Sequence, residues 1–172
     1  MLDSDKKQAT LEELASQVGD RLVSRNESLA TAESCTGGWV SMLVTAITGS
    51  SAWFDRGFVS YSNEAKQEML AVDKQIIEIH GAVSEETARS MVQGAIENSN
   101  AQVGLSITGI GGPGGGTIDK PVGTVCFGWM VDGQCDTETC HFSGDRNQVR
   151  EQSVRHVLTT LLDRLQHGAA RG

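Results

Sequence analysis

A three-layer α/β/α sandwich with a mixed sheet is the fold predicted for this 172-residue chain, and three features predict it. Amphipathic helical stretches alternate with short apolar runs in the first part of the sequence, the pattern of parallel strands joined by helical crossovers. A hairpin signal, Asp132-Gly133 between two extended runs, comes late and adds antiparallel strands to a parallel core. With 38% hydrophobic and 21% charged residues, the composition is that of a globular chain large enough for one substantial core.

The elements follow in order. Leu11, Leu14, Ala15, Val18, Leu22 and Val23 recur at helical spacing, so a helix is expected over Thr10 to Arg25. Thr10 with Glu13 forms a capping box at its start. Ser28 to Glu33 reads as the first strand, and Trp39 to Thr48 as a helix ended by Gly49. Gly57 to Ser60 is a short strand, and Asn63 is placed as N-cap of a helix over Glu64 to Leu70. A helix from Ser84 to about Asn98 carries Glu85 and Glu86 at its positive end. Val103 to Ile107 is an apolar strand, and a glycine-rich loop spans Gly109 to Asp119. Gly123 to Val131 and Thr137 to Phe142 make the hairpin, and Asp145 with Gln148 caps a final helix to about Gln166. One domain is expected over residues 11–167, with flexible ends at 1–10 and 168–172.

A net charge of −8 disfavours a general nucleic-acid binder, although a local pocket can still hold an anion. No apolar run is long enough to span a membrane, and Met1 to Thr10 lacks the core of a signal peptide, so the cytoplasm is the expected location. Cys35, Cys126, Cys135 and Cys140 show no C-x-x-C pair and are expected as free thiols. The set Cys135, Cys140 and His141 fits no common zinc module.

The run Ala32-Glu33-Ser34-Cys35-Thr36-Gly37-Gly38 is the chemical centre of the sequence. It reads as a strand end turning into a helix, with a small nucleophile beside backbone N–H groups at a positive helix end. Two decoys fall away. Gly109 to Gly114 matches G-x-G-x-x-G, but no helix can open among the glycines and prolines that follow, so a dinucleotide fold is excluded. Tyr61 and Lys66 have four residues between them, not the three of the short-chain dehydrogenases. A Ser34 nucleophile needs a base, and none of His80, His141, His156 and His167 is well placed except His141. A lysine base is the other solution, and Lys66 would have to be neutral for it. Spacing does not choose between Ser34 and Cys35. Arg146 and Arg150 share one side of the last helix and can form a cationic clamp or pair with Asp145 and Glu151.

Together these residues resemble the CinA C-terminal domain family of nicotinamide-nucleotide amidases. The resemblance rests on the run Ala32 to Gly38, on Gly57 to Lys66, on Gly81-Ala82-Val83-Ser84, and on Ser106 to Gly115, in the family's order from about Leu11 to Leu165. The chain is similar to the stand-alone form of the family. The resemblance implies hydrolysis of the carboxamide of nicotinamide mononucleotide to nicotinate mononucleotide and ammonia, in pyridine-nucleotide salvage. It implies no metal and no redox cofactor. It implies Ser34 as nucleophile, Lys66 as base, Tyr61 in proton transfer and Ser51 in contact with the reacting amide. Thr36, Gly37, Gly38, Thr108, Gly109, Gly111 and Gly112 would hold the nucleotide, with Arg146 on its phosphate or ribose. A homodimer or higher homo-oligomer is expected, and the alternative function is a nucleotide-binding regulatory module without turnover.

Overall fold

The computed structural model describes residues 8–168. Helix α1 (Leu11–Arg25) starts at the expected capping box, with the Thr10 hydroxyl accepting from the Glu13 N–H and the Glu13 carboxylate accepting from the Thr10 N–H. Strand β1 (Leu29–Glu33) is buried at all five positions. Helix α2 (Trp39–Ala46) follows a turn in which Gly37 and Gly38 take φ of 61° and 96°, a conformation that glycine alone adopts without strain. The helix ends before the expected Thr48, and a short 3₁₀ turn occupies Ser50–Ala52.

Strand β2 (Phe54–Val59) begins three residues earlier than expected. It lies at the sheet edge, where the polar pair Asp55 and Arg56 is tolerated. Helix α3 (Asn63–Leu70) is capped by the Ser62 hydroxyl, which accepts from the Ala65 N–H. Asn63 is therefore the first helical residue and not the cap. A further helix, α4 (Lys74–His80), capped by Asp73, was not expected from sequence. Helix α5 (Glu85–Glu97) is capped by Ser84 as expected. Strand β3 (Val103–Gly109), the hairpin strands β4 (Thr124–Val131) and β5 (Gln134–His141), and helix α6 (Arg146–His167) complete the chain. The hairpin turns at Asp132 and Gly133 with φ of 52° and 71°, the paired positive values of a type I′ turn.

The sheet order is β2-β1-β3-β4-β5, with β1 parallel to β2 and β3, and β3, β4 and β5 mutually antiparallel along the order. This is the expected parallel core extended by an antiparallel hairpin. Alternation sorts the side chains. Leu29, Val103, Leu105, Ile107, Val125, Phe127 and Trp129 face α1, α2 and α6 in the larger core. Ala30 and Ala32 face the smaller core with Leu70, Met91 and Ala95. On that face the residues of the central strands are small, and the Ser106 hydroxyl donates to the Ala88 carbonyl, so α5 lies close on the sheet. Gly94 brings α5 against α3: a Cβ there would lie 1.9 Å from the Leu70 carbonyl oxygen. At the edge of the expected N-terminal segment, Ala9 packs on the core and its carbonyl accepts from Arg155, while Thr10 caps α1. Residues 1–7 and 169–172 lie outside the described residues. Among the described residues no helix is long and apolar enough to cross a membrane.

Candidate active site

Strand β1 ends with Glu33 opposite Ile107 of the parallel strand β3, which runs on to Gly109. Ser34 follows directly and is anchored by its N–H to the Ile107 carbonyl. Its hydroxyl lies 2.9 Å from Lys66 Nζ. Lys66 projects from α3, and only 1% of its surface is exposed. The amine also donates to the Ser60 carbonyl at 2.9 Å and to the Tyr61 carbonyl at 3.1 Å. No carboxylate pairs with it among the described residues, and burial pulls its pKa below the usual lysine range.

This geometry suits either protonation state. The ammonium has three protons for three oxygens. The neutral amine keeps two protons on the carbonyls of Ser60 and Tyr61 and turns its lone pair to the Ser34 hydroxyl. That is the arrangement a general base needs. Cys35, the rival nucleophile, is buried, and that burial pushes its thiol up to about 12. A thiol so rarely ionised is inert at neutral pH. The histidines are not needed: His156 packs against Phe127, and His141 is exposed on β5.

Ser34, Cys35, Tyr61, Lys66, Thr108, Gly109, Gly111 and Arg146 line one cavity of about 260 Å³, together with Asn63, Ala82 and Val83, which the sequence reading missed. Arg146, in the first turn of α6, donates to the Gly112 carbonyl at 2.9 Å and to the Tyr61 phenol oxygen at 3.3 Å. Arg150 is spent elsewhere: it donates to the Cys35 carbonyl at 3.0 Å and the Thr36 carbonyl at 3.2 Å, and it stacks on Trp39. Of the two arginines, Arg146 is the one in the cavity. The Thr108 hydroxyl donates to the Ala82 carbonyl at 2.7 Å and so fixes the Ala82-Val83 wall.

Ser51, Thr36, Gly37 and Gly38, expected at the site, are not among the cavity residues. Ser51 lies in the turn before β2, and Leu29 at the start of β1 bonds the neighbouring Trp53 carbonyl. It therefore sits at the opposite end of β1 from Ser34, about 16 Å away along a five-residue strand, and within one chain it cannot touch the reacting amide. Thr36 is fully buried, and its hydroxyl donates to Glu33 at 2.8 Å, so it does not face the cavity. The N-terminus of α2 is not open either. The buried Glu33 carboxylate accepts there from the N–H groups of Val40 (2.9 Å) and Ser41 (3.1 Å) and from the Ser41 hydroxyl (2.9 Å). Gly37 and Gly38 shape that turn and are not among the cavity residues. The Tyr61 phenol meets Arg146, while the contact of Tyr61 with Ser34 and Lys66 is made by its backbone carbonyl.

The chain is 49% identical over 152 residues to the nicotinamide-nucleotide amidohydrolase PncC of Escherichia coli K12, covering 88% of this chain and 92% of that one. It is 45% identical to a CinA-like protein of Syntrophobacter fumaroxidans, covering 84% of this chain and 34% of that longer protein. A CinA superfamily crystal structure from Klebsiella pneumoniae superposes with a TM-score of 0.89 at 36% identity, covering 92% of this chain and 99% of that one. One from Escherichia coli gives 0.87 at 41% identity, covering 94% and 92%. The model of the CinA C-terminal domain matches residues 11–165, the whole stretch that carries the Ser34–Lys66 pair and its cavity, and the chain belongs to that family.

Proposed function

We propose that this protein is a nicotinamide-nucleotide amidase that hydrolyses the carboxamide of nicotinamide mononucleotide to nicotinate mononucleotide and ammonia. The observation that carries the mechanism is the 2.9 Å contact between Ser34 Oγ and a buried Lys66 amine that no carboxylate among the described residues neutralises. The substrate class is supported by the amidohydrolase PncC of Escherichia coli, nearly half identical over most of both chains.

Ser34 Oγ attacks the carboxamide carbon as its proton passes to neutral Lys66 Nζ. The oxyanion forms beside the backbone N–H group of Cys35, a cavity residue, which donates to no oxygen among the described residues. Lys66 returns the proton to the nitrogen, the C–N bond breaks, and ammonia leaves. Water then attacks the Ser34 ester, its proton passes to Lys66, and collapse restores the serine hydroxyl and frees the carboxylate. Arg146 holds the phosphate or ribose at the rim. Gly109 and Gly111 form the wall beside it, and Gly112, which is not among the cavity residues, positions Arg146 through its carbonyl. Residues 11–167 act as one catalytic domain, and the open edge of β2 supports assembly into a homo-oligomer, which light scattering reads.

The test is ammonia release from nicotinamide mononucleotide by the purified chain, with Ser34→Ala and Lys66→Ala as variants. Each should lower turnover at least a thousandfold. Tight binding of the nucleotide without ammonia release would instead identify a regulatory module, and full turnover in Ser34→Ala would remove covalent catalysis by this serine.

A further inference from the structure

A second cluster of chemically competent side chains lies outside the cavity, between β5 and α6. Residues two apart on β5 share a face. Asp136, Glu138 and Cys140 point toward α6, where Arg164 pairs with Asp136 and His156 meets both Glu138 and Cys140. Cys135 and His141, of opposite parity, share the other face, so the set Cys135, Cys140 and His141 considered from sequence cannot assemble. The set that does assemble is Glu138, Cys140 and His156, whose donor atoms all lie within 4.8 Å of one another.

The spacing is that of a coordination sphere. His156 Nε2 lies 3.5 Å from Cys140 Sγ and 2.9 Å from Glu138 Oε2. A tetrahedral zinc ion, with bonds of about 2.3 Å to sulfur and about 2.0 Å to nitrogen, sets those two donors about 3.5 Å apart. The nitrogen–oxygen pair would open by only a few tenths of an ångström. The imidazole is held in place by Phe127, Phe142 and Trp129, with ring centroids 4.9, 6.1 and 6.0 Å away. Glu138 is exposed, which leaves a path for an ion and room for a water as fourth ligand. Thiolate, imidazole and carboxylate together select a borderline-soft divalent ion over magnesium or calcium.

We propose that Glu138, Cys140 and His156 form a zinc-class metal site that clips the edge strand β5 to α6. Binding forms three bonds to the ion and releases the Cys140 thiol proton to solvent. His156 stands ten residues beyond Arg146, about 15 Å along α6, so the ion takes no part in the amide chemistry.

Cobalt(II) titration of the whole purified chain tests this. The expected result is one equivalent bound, with the near-ultraviolet thiolate-to-cobalt band and the strong visible bands of a tetrahedral site, both abolished by zinc. Cys140→Ser should remove the thiolate band, Glu138→Gln should weaken binding at least tenfold, and Cys135→Ser should change neither. Zinc at a hundredfold excess over its dissociation constant should raise the melting temperature by about 5–10 °C in the parent and by far less in Cys140→Ser. No thiolate band, or a band that survives in Cys140→Ser, would overturn the site. Glu138→Gln keeps the test decisive if the serine variant folds poorly.

Discussion

Lys66→Met separates the two roles of this side chain. In the wild type the amine makes three hydrogen bonds, to Ser34 Oγ and to the carbonyls of Ser60 and Tyr61, at 2.9 to 3.1 Å. Methionine fills the same channel and leaves the two carbonyls short of a donor, which costs about 1–3 kcal/mol for each one left unsatisfied. Against this, the variant no longer buries an ammonium. Burial lowers the folded-state pKa below the unfolded value of 10.5, so the unfolded chain binds the proton more tightly. The wild-type penalty is therefore full below the folded pKa and vanishes above 10.5, at about 1.4 kcal/mol per unit of depression. The stability of Lys66→Met relative to wild type should be best at low pH and decline as pH rises through that window. Activity should move quite differently. Loss of the base should lower kcat by about 10³–10⁴, or about 4–5.5 kcal/mol of barrier. Wild-type kcat/KM should rise with pH through the depressed lysine pKa and then level. Chemical denaturation across pH and an ammonia-coupled assay read both quantities. A Lys66→Met enzyme within tenfold of wild type, or one that keeps the rising limb, refutes Lys66 as the base.

The remaining predictions concern its surroundings. Cys35→Ala should keep turnover within about threefold while losing about 1 kcal/mol in denaturant titration; a folded variant without turnover would bring the thiol back into the mechanism. Gly94→Ala forces α5 off α3 at the Leu70 carbonyl and should cost about 1–3 kcal/mol in melting experiments, with kcat falling as α3 shifts Lys66. Arg146→Ala should raise KM for the mononucleotide about 10–100-fold, a loss of about 1.4–2.7 kcal/mol, with little effect on slow turnover of free nicotinamide; equal effects on both would deny it the phosphate. Glu33→Gln should destabilise by about 1.5–3 kcal/mol, read in the same melts, because a charged acceptor of four hydrogen bonds becomes a neutral amide.

Local signals were the ones legible in the sequence. The capping boxes at Thr10 and Asp145, the Ser84 cap and the Asp132-Gly133 turn each act within a few residues, and each appears in the structure. The Ser34–Lys66 pairing was legible as a chemical possibility, a serine in need of a base and no well-placed histidine but one, and the family resemblance selected it; spacing could not, since the contact joins residues 32 apart through the β1–β2 crossover. Helix α4 escaped because seven residues, with Ile76, Ile77 and Ile79 crowded together, carry too little periodicity. The first half of β2 escaped because an edge strand need not be apolar. Ser51, in the turn Gly49-Ser50-Ser51, reads from sequence as either a polar contact or a loop hydroxyl and was placed at the reacting amide by the resemblance, while the chain path puts it at the far end of β1. The role of Glu33 was visible in principle: an acidic residue closing a buried strand just before a helix start has one good place for its charge.

That charge decides where the substrate's own anion can go. A turn from a strand into a helix usually invites a phosphate, but here the α2 N-terminus already holds the Glu33 carboxylate. A phosphate added beside it would face a buried negative charge. Nor can the phosphate rest on Lys66, because an adjacent anion would raise the lysine pKa and keep the base protonated. On the proposed mechanism, the catalytic amine and the anion site are therefore different cations, held apart. Arg146 meets both conditions. It enters the cavity from α6, it reaches Tyr61 and Gly112 at the rim, and it presents a guanidinium and not an amine. The division is between a buried amine that can lose its proton and a guanidinium at the rim. It lets a chain of net charge −8 bind an anionic nucleotide without switching off its own base.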